Sequence, residues 1–178
     1  ELKSILGLDS IPDRIEAYDI SNTGTSENVG SMVVFNRGLP LKREYRRFKI
    51  KTVEGQNDYA SMQEMIYRRF RHYKEERDVP AQLQADIAQG KRNSKQKFGV
   101  MPDLILIDGG LGHLNAVCEV LKELDINMPI AGMVKDDRHR TRGLVFAEGE
   151  VELTNRIHVL RLITSIQDEA HRFAVEYN

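Results

Sequence analysis

Two carboxylates stand where the pattern of the chain makes an acid costly. Asp19 falls within RIEAYDI (14–20), among Ile15, Tyr18 and Ile20, and Asp108 closes the most apolar strand pattern in the chain, in DLILIDGG (103–110). A carboxylate taken out of water without a partner costs several kcal/mol, so each needs a cation, hydrogen-bond donors or a metal. On neighbouring strands the two would converge. A pair of hard oxygen ligands suits Mg²⁺ or Mn²⁺, which take few protein carboxylates and keep positions for water and substrate phosphate. The plainer alternative is that Asp108 opens the Gly109-Gly110 turn and caps the next helix while Asp19 begins a polar loop, since aspartates at strand ends are common turn formers. His171 is the third candidate. It lies at the border between the apolar stripe of the last helical segment and the polar side shared with Gln167 and Asp168, where a side chain can project into a cleft, although a lone border histidine is more often ordinary. His72, His113, His139 and His158 are weaker candidates.

These residues need elements to position them. RIEAYDI, VGSMVVFN (29–36) and LKREYRRFKI (41–50), separated by the polar SNTGTSEN and the turn RGLP, predict a meander of three strands. A helix is predicted from Tyr59 to Glu76, with Met62, Met65, Ile66, Arg69 and Phe70 along one side. The polar stretch 78–99 reads as a mobile connector, with a short helix possible over 81–88. DLILIDGG has the continuous apolar character of a strand covered on both faces. A helix over Leu111–Leu124, a strand over 128–135, a hairpin of LVFA and EVEL, and a helix from Arg156 to Tyr177 complete one α/β domain, residues 1–178.

The 178 residues carry one cysteine, Cys118, which excludes an intrachain disulfide and a thiolate zinc site. No apolar run reaches the ~18 residues that span a bilayer, and the N-terminus lacks the features of a secretory signal, so the cytoplasm is the expected location. Glu1 in place of Met is expected of a piece of a longer protein. The net charge of -1 conceals a segregation: segments 37–51, 68–77, 91–97 and 135–142 hold 20 of the 26 Lys and Arg but five of the 27 acids, a balance of +15 against -16 elsewhere. Such a layout can give a neutral protein one positive face, the footprint of a phosphate-backbone partner. Solvated surface elements would carry the same composition.

GGLG (109–112) lacks the G-x-G-x-x-G spacing and no Walker-type loop occurs, so the glycines read as a tight strand-to-helix turn. Asp108, Lys135, Asp136 and Asp137 would suit a phosphoacceptor receiver domain. Those domains alternate strand and helix from the start, whereas this chain opens with three strands.

RIEAYDISNT (14–23), YRRFKIK (45–51), NDYASMQE (57–64), PDLILIDGGLGHLNA (102–116), KDDRHRTRG (135–143) and DEAHRFA (168–174) occur in that order. Together they resemble the C-terminal endonuclease domain of UvrC, the incising subunit of the bacterial excinuclease ABC system of nucleotide excision repair. The likeness implies an RNase H-like α/β fold, a mixed central sheet of a three-strand antiparallel meander plus parallel strands, flanked by helices. It implies a DNA endonuclease dependent on Mg²⁺ or Mn²⁺ that cuts on the 5′ side of a lesion. By the matching blocks it implies Asp19, Asp108 and His171 as catalytic and metal-binding residues. Asp58 also matches a family acid, while its local pattern reads equally as a helix cap. Damaged double-stranded DNA is the expected partner, gripped through Lys135, Arg138, Arg140 and Arg142 with Arg46 and Arg47, by contacts that do not read bases. UvrB is the expected protein partner, through other parts of the full-length protein, and no membrane is expected. Asn22 stands where relatives often have His, and Leu111 and His113 where many have Lys and Gln. Two other functions compete: a DNA-binding platform without catalysis, and another RNase H-like nuclease such as a resolvase, against which the YRRF and KDDRHRTRG blocks argue.

Overall fold

Strand β1 (Arg14–Asn22) runs antiparallel to β2 (Asn28–Asn36), in register from Arg14 opposite Asn36 to Asn22 opposite Asn28. The structure is a computed structural model that describes residues 12–22, 28–53, 55, 57–78 and 100–176, with the backbone alone at 22 and over 73–78. The connector expected over 78–99, beyond Asp78 itself, and the short helix expected over 81–88 lie outside the described residues, as does Tyr177.

A two-residue turn follows β2, with positive φ at both Arg37 (53°) and Gly38 (81°). This is the handedness that suits the twist of a hairpin. The third strand expected over 41–50 is divided. β3 (Leu39–Pro40) pairs with Phe35 and Asn36, a single 3-10 turn spans Lys42–Glu44, and β4 (Arg46–Lys49) returns to pair with Val29–Met32. The Leu41 N–H still donates to the Val34 carbonyl at 2.8 Å, and the chain then leaves the edge through the 3-10 turn and rejoins it further along.

Helix α1 (Asp58–Asp78) buries Met62, Met65, Ile66 and Phe70, the predicted stripe. β5 (Leu104–Asp108) lies parallel to β1, and its residues Leu104 to Ile107 are fully buried, which explains their unbroken apolar run. α2 (Leu111–Glu123) leads to β6 (Ile130–Lys135), parallel to β5, and the hairpin of β7 (Thr141–Phe146) and β8 (Gly149–Glu152) extends the sheet antiparallel. The last helix, α3 (Ile157–Glu176), buries Val159, Ile163, Ile166 and Ala170. The strand order is β3-β2-β1-β5-β6-β7-β8, with β4 beside β3 on the same edge of β2. α1 and α2 pack together, and α3 packs against β1, β2 and β7.

Strand alternation decides which acids meet which helix. Glu16 and Asp19, three residues apart on β1, point to opposite faces. Glu16 faces α1 and is fully buried, and it accepts from Arg69 Nη2 at 2.9 Å, Arg69 Nε at 3.2 Å, Arg14 Nε at 3.0 Å and the Tyr18 hydroxyl. Burial and the Glu16 charge push the Tyr18 phenol well above its usual range. Asp19 faces α3.

Candidate active site

The register between β1 and β5 runs from Ile15 opposite Leu104 to Tyr18 opposite Ile107, so one further step sets Asp19 beside Asp108, where β5 ends and β1 runs on to Asn22. Asp19 is 7% exposed, and the two carboxyl groups are within hydrogen-bonding reach. Burial first, and then the negative charge of Asp108, push the Asp19 carboxyl up from the ordinary range to about 8, against the opposing pull of the Lys135 ammonium and the Ile20 N–H. Asp19 is thus the carboxyl that burial and its acidic neighbour most disfavour in the charged form. Lys135 Nζ, at the end of β6, stands 3.4 Å from Asp108 Oδ1. Gln167 on α3, itself buried, donates from Nε2 to Asp108 Oδ1 at 2.9 Å, and its Oε1 accepts from the Thr141 hydroxyl at the start of β7.

Glu16 and Asp19 share a strand and a depth of burial, yet their surroundings are opposite. Glu16 is neutralised by two guanidinium groups and a phenol, as a structural acid must be. Asp19 faces a second acid. Ser31, which pairs with Asp19 across the sheet, is fully buried and its Oγ has no hydrogen-bond partner. Two carboxylates with one lysine beside Asp108, and an unsatisfied hydroxyl in the row of Asp19, fit a divalent cation with its water. Among the described residues no three His, Cys, Asp or Glu side chains stand together as a ready-made ligand set. A cation there would find oxygen ligands in Asp19 and Asp108 and would keep further positions for water and substrate.

The turn after β5 is held close. A Cβ on Gly132 of β6 would lie 2.4 Å from the Gly109 carbonyl oxygen and 2.7 Å from Val145 Cγ1. Only glycine lets β6 pass so near the turn that follows Asp108. At the start of α2 the His113 ring meets the Tyr59 ring edge to face, with centroids 4.5 Å apart.

The other expected residues are more dispersed. His171 is exposed on α3, four residues beyond Gln167 and so on the same side of the helix one turn on. Asp58 is the exposed first residue of α1. The cap is Asn57, whose Oδ1 accepts the Ala60 N–H at 3.1 Å, so the helix-cap reading of Asp58 is corrected by one position. Neither residue joins the carboxylate pair in a ligand set. Arg138 is exposed on the 136–140 loop, whose fold Asp136 fixes by accepting the N–H groups of Arg138 and Arg140, each at 2.9 Å. Arg140 also pairs with Asp136 at 3.3 Å, and Arg142 is held by Glu150 at 3.0 Å and Glu152 at 3.3 Å. Arg46 donates to the carbonyl oxygens of Arg43 and Tyr45. Arg47 lies in the same cross-sheet row as Ser31 and Asp19, its guanidinium 3.9 Å from the centre of the Phe173 ring. Gln167, Thr141 and Ser31 were not among the residues singled out from the sequence. The sequence pattern sets Gln167 on the polar side of the last helix, whereas it is buried against Asp108, and no signal marks Thr141 or Ser31.

A family model described as the UvrC RNase H endonuclease domain matches residues 3–175. The UvrABC system protein C of Acetivibrio thermocellus is 57% identical over 180 residues, covering 100% of this chain and 28% of that protein. Its counterpart in Clostridium tetani is 55% identical over 178 residues, again with 100% of this chain and 28% of the relative covered. The chain therefore spans little more than a quarter of the length of these relatives. Among solved structures, Ciona intestinalis endonuclease V in complex with an inosine-containing 24mer DNA aligns with a TM-score of 0.36 at 12% identity, over 70% of this chain and 48% of that one. Human ENDOV aligns with a TM-score of 0.32 at 14% identity, over 76% and 63%. With the family model covering nearly its whole length, the chain belongs to the UvrC RNase H endonuclease domain family.

Proposed function

We propose that this domain hydrolyses a phosphodiester bond of damaged duplex DNA, on the 5′ side of the lesion, with Mg²⁺ or Mn²⁺ held by Asp19 and Asp108. The observation that carries the reading is the contrast on β1: Glu16 is buried among cations, while Asp19 is buried against a second acid. A fold gains nothing in stability from the latter arrangement, and it is the kind of perturbed pair that marks a functional site.

A divalent cation bound there supplies charge neutralisation at a non-bridging phosphate oxygen and a lowered pKa for the attacking water. Asp19 and Asp108 would provide its oxygen ligands, Asp19 in its deprotonated form. Lys135, 3.4 Å from Asp108, would be less firmly held by that carboxylate with a cation in place and is within the site to meet a phosphate oxygen. His171, one turn along α3 from Gln167, orients the water or carries its proton. Arg138 and Arg140 on the loop between β6 and β7, with Arg46 and Arg47 on β4, grip the backbone, while Asp58 stands further off at the start of α1. The longer protein would meet UvrB through its other parts and work in the cytoplasm. No described helix is long and apolar enough to cross a membrane.

The test is incision of a lesion-bearing duplex by the full-length protein with its UvrABC partners. Asp19→Asn and Asp108→Asn are expected to lower 5′ cutting by about a thousandfold, a loss of ~4 kcal/mol of transition-state stabilisation, while DNA binding persists. Undiminished 5′ cutting by either variant would remove that residue from the site.

A further inference from the structure

The residue that touches Asp108 from α3 is not an acid, a histidine or a cation but a buried glutamine, and the surroundings fix its orientation. The amide of Gln167 lies between the Asp108 carboxylate and the Thr141 hydroxyl. A carboxylate only accepts, so the Gln167 nitrogen must face Asp108 and the oxygen must face Thr141. The Thr141 hydroxyl then has one role left, to donate to that oxygen. Thr141 and Gln167 are both buried, so neither hydrogen bond is exchanged cheaply for water.

We infer that Gln167, oriented by Thr141, is a positioning residue that holds Asp108 in the rotamer in which its carboxylate meets Asp19. This rests on the reading of Asp19 and Asp108 as the cation-binding pair. Asp108 ends its strand next to two glycines, so little else in its own segment restrains the side chain. Lys135 stands farther off, at 3.4 Å and 3.5 Å from the two oxygens, and is partly exposed, so it gives charge but weak direction. The 2.9 Å amide contact is the directional one. It also ties three elements at one point: β5 through Asp108, β7 through Thr141 and α3 through Gln167. Because His171 follows Gln167 by one turn, the same contact sets the height of α3 over the strand ends. Glutamine suits the task where glutamate would not, since a third carboxylate would repel Asp108.

The experiment is Mn²⁺ titration of the full-length protein by calorimetry, counting the binding that Asp19→Asn removes. Gln167→Met keeps the volume and loses both hydrogen bonds. It is expected to weaken that binding about tenfold, the usual effect of removing an outer-shell partner of a metal ligand. Thr141→Val, which frees the amide to turn, is expected to weaken it in the same direction by a smaller factor, and it serves where Gln167→Met fails to fold. A positional role is read from the metal affinity, which a loss of general stability would not move in folded protein. Wild-type Mn²⁺ affinity in both variants, with binding still lost in Asp19→Asn, would overturn the role of Gln167 and leave the cation site standing. No Asp19-dependent Mn²⁺ binding at all would overturn both.

Discussion

A carboxyl group that keeps its proton until about pH 8 alters the response of the protein to pH before any cation binds. The folded-state pKa of Asp19 is raised above its ordinary value, so its contribution to stability is fully present below that ordinary value and is lost as pH rises through about 8. In EDTA, thermal unfolding is expected to show this group lowering Tm by a few °C between roughly pH 5 and pH 9, and Asp19→Asn to abolish that part of the slope. Excess Mn²⁺ is expected to reverse the sign, because the cation binds the deprotonated pair. A slope unchanged by Asp19→Asn would mean that Asp19 is ionised throughout. Asp19 and Asp108 were legible in the sequence because each interrupts an apolar strand pattern. Gln167, Thr141 and Ser31 were not, because their importance comes from contacts between different elements: Ser31 with Asp19 on the neighbouring strand, and Gln167 with Thr141 and Asp108 on two strands distant in the chain.

At the level of elements, the strands hold the pair in place through two devices. One is the buried network around Glu16, which fastens β1 to α1. Arg69→Met would leave Glu16 with less countercharge and is expected to lower the unfolding free energy by about 3 kcal/mol, read from urea denaturation. The other is the close passage of Gly132 past the Gly109 turn. Gly132→Ala must push that turn away. It is expected to cost roughly 1–3 kcal/mol of stability and, in folded protein, to reduce 5′ incision more than DNA binding, because the turn follows directly on Asp108. Equal losses in both would place the effect elsewhere. The helices were readable from their stripes, and β5 from its unbroken apolar run. The break in the third predicted strand at Pro40 was not read, since the alternation of the following residues resembled a continuing edge.

Across the whole molecule, the near-zero net charge hides basic segments whose side chains differ in freedom. Arg142 is engaged by Glu150 and Glu152, whereas Arg138 is exposed on its loop. In salt titrations of DNA binding by the full-length protein, Arg138→Gln is expected to reduce the slope of log K against log salt by about 1, and Arg142→Gln by clearly less. Equal changes would show that DNA displaces the two glutamates. The charge layout was visible in the sequence, but which arginines were already paired was not, because the partners of Arg142 lie on the next strand. The most direct measurement for the whole molecule is a crystal soaked in Mn²⁺ and read by anomalous scattering. A peak bridged by Asp19 and Asp108, with Gln167 still on Asp108, is the expected result. A peak elsewhere, or none while the two carboxyl groups remain hydrogen-bonded to each other, would contradict the assignment of this pair as the nuclease centre.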